Sequence, residues 1–257
     1  LRHAASASKA EAEAAARAGD DDDDTAPEGW TLEAGFGSFA APRRTGSRRY
    51  APTLVPLLER GCDDVLEAST REGVTYRVFD DGWLKGGPLL DIDEKNRPGT
   101  RAGNGLRAGR YGNAGEGAFG KADLGPATAR LELSEGILAR RGLKAEATLS
   151  RDLTLAAGLS LDYGLKLQGG DRLYTATTYG LLRARRGLGD TGAVPGLTGV
   201  GPTLSVRQAL TETQSPTGTI EATRLVGAAA QSGASRHGSS RNDTLVGLSW
   251  QTRLSPP

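Results

Sequence analysis

The chain has little of what catalytic and metal-binding proteins are built from. Its 257 residues include one cysteine, two histidines and no methionine, and the net charge is only +1. The lone Cys62 excludes an internal disulfide. One cysteine and two distant histidines make no zinc spacing. Barrel proteases and lipid hydrolases need a histidine base beside a nucleophile or second acid. His3 lies in a polar leading stretch and His237 in the Gly- and Ser-rich run from Ser232 to Ser240. Neither setting holds a side chain rigidly enough for catalysis. No catalytic residue, cofactor or metal is expected, and the chain reads as non-enzymatic. Its balanced charge gives no reason to expect nucleic acid as a partner. No run of about 18 apolar residues occurs, which excludes a transmembrane helix. Membrane strands are not excluded, because only every second residue of such a strand need be apolar. The missing initiator methionine and missing apolar leader predict a mature chain whose export signal has been removed.

What is present is alternation. From Leu153 to Leu167 the odd positions are leucine, alanine and tyrosine, while the even ones include Thr154, Gly158, Ser160, Asp162 and Lys166. A period of two separates the sets onto opposite faces of a β-strand. Fifteen residues exceed the usual strand of about 5–6, so the stretch predicts a tilted strand that crosses a bilayer with about 9–11 residues and overshoots. Lipid-facing apolar residues and lumen-facing polar ones define an outer-membrane barrel strand. A soluble up-and-down barrel alternates too. Strand length, the glycine-rich polar face, and Trp30, Trp83, Tyr163 and Trp250 near strand ends favour the membrane.

Residues 1–28 are rich in alanine and charge, with an acidic run from Asp20 to Asp24, and predict a disordered periplasmic tail. The barrel is expected over 29–257. Strands are predicted around Trp30–Phe36, Leu54–Leu58, Val65–Ser69, Val74–Phe79, Trp83–Ile92, Ala114–Leu124, Ala127–Ser134 and Leu143–Leu149. Leu153–Leu167, Thr203–Leu210, Thr219–Gln231 and Val246–Leu254 complete an antiparallel barrel of about 12 strands. Pro52 and Pro56 suggest a bulge in the second strand. Asp80–Gly82, Gly125-Pro126 and Arg151-Asp152 read as short periplasmic turns, opposite longer external loops.

Several segments in order carry a family resemblance. They are Gly29-Trp30-Thr31-Leu32-Glu33-Ala34-Gly35-Phe36-Gly37, Pro42-Arg43-Arg44 leading into Gly46-Ser47, and Ala68-Ser69-Thr70-Arg71-Glu72-Gly73. Tyr76-Arg77-Val78-Phe79-Asp80-Asp81-Gly82, Gly87-Pro88-Leu89-Leu90, Gly117-Ala118-Phe119, Asp171-Arg172-Leu173-Tyr174 through Gly180, and Arg224-Leu225-Val226-Gly227-Ala228-Ala229 follow. Together, from Trp30 to Leu254, they resemble the MipA/OmpV family. The resemblance implies a Gram-negative outer-membrane scaffold in peptidoglycan remodelling. Its implied partners are a lytic transglycosylase and a bifunctional penicillin-binding murein synthase. Family members usually end on an aromatic residue read by the assembly machinery, whereas this chain ends in Ser255-Pro256-Pro257.

Two sets of charges are candidate sites. Arg43, Arg44, Arg48 and Arg49 in the first external loop, with Arg183, Arg185 and Arg186 in the largest, suit contacts with lipopolysaccharide phosphates. By parity Glu33, Arg77, Arg130, Glu132, Asp162 and Lys166 are expected to face the lumen. Both signs are present, so these residues are expected to pair and plug the interior. The alternative to a scaffold is a narrow diffusion channel, or an adhesin acting through lumen and external loops.

Overall fold

The computed structural model describes residues 30–42, 45–62, 65–70, 73–93, 113–137, 142–179, 193–231 and 240–254. The leading segment 1–28, His3, His237, Arg43, Arg44, Arg183, Arg185 and Arg186 lie outside them.

Twelve antiparallel strands close on themselves among the described residues. They are β1 (Trp30–Pro42), β2 (Tyr50–Cys62), β3 (Leu66–Ser69) and β4, which is formed by Gly73–Tyr76 and Phe79–Asp80. β5 (Leu84–Asp93), β6 (Asn113–Asp123), β7 (Thr128–Gly136), β8 (Leu143–Ala156) and β9 (Leu159–Gly170) follow. A seven-residue helix, α1 (Arg172–Thr178), precedes β10 (Gly196–Gln208) and β11 (Gln214–Leu225). The short α2 (Gly227–Gln231) and β12 (Asn242–Leu254) complete the order. The two parts of β4 pair with the same strand, Val74 opposite Leu90 and Phe79 opposite Gly86, with one extra residue between them. β1 pairs with both β2 and β12, which closes the cylinder. Closure leaves no sheet edge over most of the wall, as a membrane span requires.

Leu54, Leu248 and Phe36 are 73%, 66% and 59% exposed and point outward with Leu131, Leu149, Leu165 and Trp250. In water such a surface is a liability; in a bilayer it is the solvated face. Ser134, Thr219, Ser249 and Gln251 are buried on the inner face. Short connections (Asp81–Trp83, Leu124–Ala127, Ala157–Gly158) share one end with Trp30 and Leu254. The longer ones after β5, β9 and β11 share the other, so the first end faces the periplasm.

The predicted fifteen-residue strand is instead the two arms of a hairpin. Ala157 and Gly158 form a two-residue turn with Gly158 at φ 72°, a conformation glycine adopts without strain. Leu153 lies opposite Leu161, and Leu149 opposite Leu165. Leu159 next to the turn pairs with Ala156, and a register shift before Ser160 makes odd pair with odd along the rest of the hairpin, so the alternation continues in phase. Arg151-Asp152 is strand interior, paired with Tyr163 and Asp162, and is not a turn. The stretch predicted as a strand to Gln231 leaves the sheet at Leu225 and finishes as α2. α1 was also absent from the prediction; Asp171 caps it by accepting the Tyr174 N–H at 2.7 Å. Pro52 and Pro56 cause no bulge, because β2 keeps one register with β1 from Tyr50 to Cys62.

Candidate functional site

The lumen is the concave, charged part of the molecule, and two strands poor in inward side chains shape it. On β6 the inward positions 115 and 117 are glycine, opposite Asp91 and Ser134. On β10 Gly201 lies opposite Lys166. Long side chains from neighbouring strands lie across these bare stretches of wall.

They form a belt. Lys144 Nζ stands 3.0 Å from Asp91 and 3.8 Å from Glu146. Lys166 Nζ stands 2.7 Å from Glu146 and 3.8 Å from Glu221. Ser134 Oγ donates to Asp91 at 3.1 Å, and Gln168 Nε2 donates to Glu146 at 3.2 Å. Acids and bases thus alternate from β5 through β8 and β9 to β11, and these charged side chains are largely buried. Alternation lets each ammonium offset the desolvation of two carboxylates.

A second group lies nearer the periplasmic mouth. Glu33 on β1 receives Arg207 at 3.0 Å and Arg253 at 3.1 Å. Arg130 pairs with Glu132 and lies 5.2 Å from the centre of the Phe119 ring, a cation–π contact. A cavity of about 290 Å³ opens here, lined by Thr31, Glu33, Glu59, Glu67, Arg130 and Arg207 among others. Arg77 bonds Asp80 at 2.8 Å beside the Asp81–Trp83 turn.

Of the predicted lumen charges, Lys166 joins the belt, while Glu33, Arg130 and Glu132 sit in the mouth group and Arg77 at its rim. Asp162 is opposite Asp152 and Ser205 on the same face of β9 as Lys166. Asp91, Lys144, Glu146, Glu221, Arg207 and Arg253 were missed. A signal existed for Lys144 and Glu146, which alternate with Leu143, Ala145 and Ala147. For the others only the closure of the barrel reveals the partner. Arg48 and Arg49 are exposed in the connection between β1 and β2, where the Arg49 N–H is accepted by Ser47 Oγ at 3.0 Å.

A closed antiparallel barrel with an apolar outer belt and an ion-paired lumen is a transmembrane β-barrel, here of the Gram-negative outer membrane. The chain belongs to the MipA family: a family model described as "MltA-interacting protein MipA" matches residues 34–252. No curated protein matches it in sequence. Among solved structures it is similar to the KdgM porin, with a TM-score of 0.42, 9% identity, and coverage of 86% of this chain and 98% of that one. The NanC porin gives 0.41, 10%, 88% and 100%. OmpT of Vibrio cholerae gives 0.38, 8%, 88% and 97%.

Proposed function

We propose that this barrel is a non-enzymatic anchor that holds a murein hydrolase of the MltA type at the periplasmic face of the outer membrane, next to a penicillin-binding murein synthase. The family match over residues 34–252 carries this reading. The lumen is consistent with it. Ion selection needs a ring of one charge sign with its field open to the pore, whereas Asp91, Lys144, Glu146, Lys166 and Glu221 neutralise one another along the wall. The periplasmic rim offers a surface instead. Phe79 and Trp83 beside the Asp81–Trp83 turn, and Leu124 in the neighbouring short connection, are exposed there. Exposed aromatic groups beside charges suit a protein contact.

The test is retention of a purified lytic transglycosylase of this class on barrel folded in detergent. The native barrel should retain it, and Trp83→Ala with Asp81→Lys should weaken binding about tenfold or more, as expected for loss of an aromatic anchor. A folded native barrel that retains nothing would sink the scaffold reading.

A further inference from the structure

The cavity of about 290 Å³ in the periplasmic mouth is lined by acids from one side of the barrel and bases from the other. Thr31 near the start of β1, Gly61 near the end of β2 and Glu67 near the start of β3 place it at the periplasmic end. Glu67 is exposed and the Arg207 side chain is 41% exposed, so solvent reaches the space. Its volume lies at the low end of the usual small-molecule range of about 300–1,000 Å³, which calls for a small occupant.

The acidic wall is built by the register of β1, β2 and β3. Glu33 stands directly opposite Glu59, and the next inward residue of β2, Gly61, stands opposite Glu67. Gly61 has no side chain, so the wall is bare beside these carboxylates. Glu33 is committed to Arg207 at 3.0 Å and Arg253 at 3.1 Å. Glu67 makes no hydrogen bond or ion pair among the described residues. Like charges opposite one another on a sheet repel, and a cation placed beside them offsets that cost.

The basic wall centres on Arg130 of β7. Its Nε donates to Glu132, the next inward residue of the same strand, and its guanidinium lies over the Phe119 ring of β6. These two contacts fix the plane of the group before any ligand arrives. Its terminal amino groups have no acceptor among the described residues. A guanidinium edge held in this way is preorganised for a carboxylate. The cavity therefore holds an uncommitted carboxylate, Glu67, and an uncommitted guanidinium edge, Arg130.

We propose that this cavity binds a small zwitterion from the periplasm, an amino acid or short peptide with a free ammonium and a free carboxylate. The carboxylate is received by the Arg130 amino groups, and the ammonium lies against Glu67 beside Gly61. A simple anion would meet the acids of β1, β2 and β3, and a simple cation would meet Arg130 and Arg207, so the two walls together select a molecule carrying both signs. The site is inside the mouth and does not depend on the scaffold reading.

The experiment is saturation-transfer NMR on barrel folded in detergent and checked for heat-dependent gel mobility. The probes are alanine, dialanine, N-acetyl-dialanine and dialanine amide. Dialanine or alanine should bind saturably at millimolar concentration, and the tighter of the two tells peptides from free amino acids as the source. Each blocked dipeptide should bind about tenfold more weakly than dialanine, the scale of losing one charge-assisted contact. Glu67→Gln should cancel the penalty of acetylation and keep that of amidation, and Arg130→Gln should do the reverse. Glu67 is exposed and supports no other side chain, so its variant keeps the test decisive even if Arg130→Gln does not assemble. A folded native barrel that binds neither zwitterion, or binds the blocked forms as tightly, would overturn the proposal. So would a Glu67→Gln barrel that retains the full penalty of acetylation.

Discussion

Replacing Lys166 with methionine should destabilise the barrel by about 3 kcal/mol, the scale for breaking a buried ion pair from one side. The side chain is nearly isosteric, so little packing is lost, but Glu146 at 2.7 Å and Glu221 at 3.8 Å lose their shared cation. Glu146 keeps Lys144 at 3.8 Å and the Gln168 amide at 3.2 Å, so the belt weakens without disappearing. The measurement is urea unfolding from lipid vesicles. Adding Glu146→Gln and Glu221→Gln to Lys166→Met should recover most of the loss, because the cation and both its carboxylates go together while Lys144 keeps Asp91 at 3.0 Å. A single variant within about 0.5 kcal/mol of the native barrel would mean that lumen water screens these carboxylates as it does surface ones. The same variants discriminate the channel reading. A single-channel conductance that changes when Lys166 or Asp162 is neutralised would favour a pore.

Gly117→Val should have the larger effect and prevent assembly of a heat-modifiable barrel. A Cβ at this position would run into the Leu133 carbonyl oxygen of the paired strand, and backbone cannot step aside as a flexible side chain does. Valine would also project into the bare stretch of wall across which Asp91, Ser134 and Lys144 meet. The control is Gly120→Val on the same strand, where a Cβ meets nothing within 4 Å. On the lipid-facing side a β-branched residue suits a strand, so this variant should fold with native gel mobility. Equal behaviour of the two would show that strand propensity, and not the close approach at Gly117, governs this position.

The contrast between these glycines is invisible in the sequence, where Gly117 and Gly120 sit in one Gly-rich strand. The resolution of the proline puzzle is similar. Pro52 and Pro56 were recognisable as misfits for an interior strand, but a bulge and a free edge accommodate proline equally well. The unbroken register of β2 with β1 from Tyr50 to Cys62 rules out the bulge. The hairpin at Ala157-Gly158 was concealed for a different reason. Antiparallel pairing of odd with odd residues preserves alternation through the turn, so a pattern of period two cannot separate one long strand from two. The helical segments were concealed by their brevity, because α1 depends on the Asp171 cap and on the cluster of Tyr174, Tyr179, Leu225 and Ala229.

By itself the sequence determined that this protein is a lipid-facing antiparallel barrel of twelve strands, because each strand must show apolar residues to hydrocarbon and polar ones to the lumen, and this demand is local. Tertiary structure decided which charges meet and which glycines admit a neighbouring backbone. Those properties arise between strands far apart in the chain, such as Glu33 with Arg207 or Asp91 with Lys144, and a period of two carries no information about which strands become neighbours when the cylinder closes.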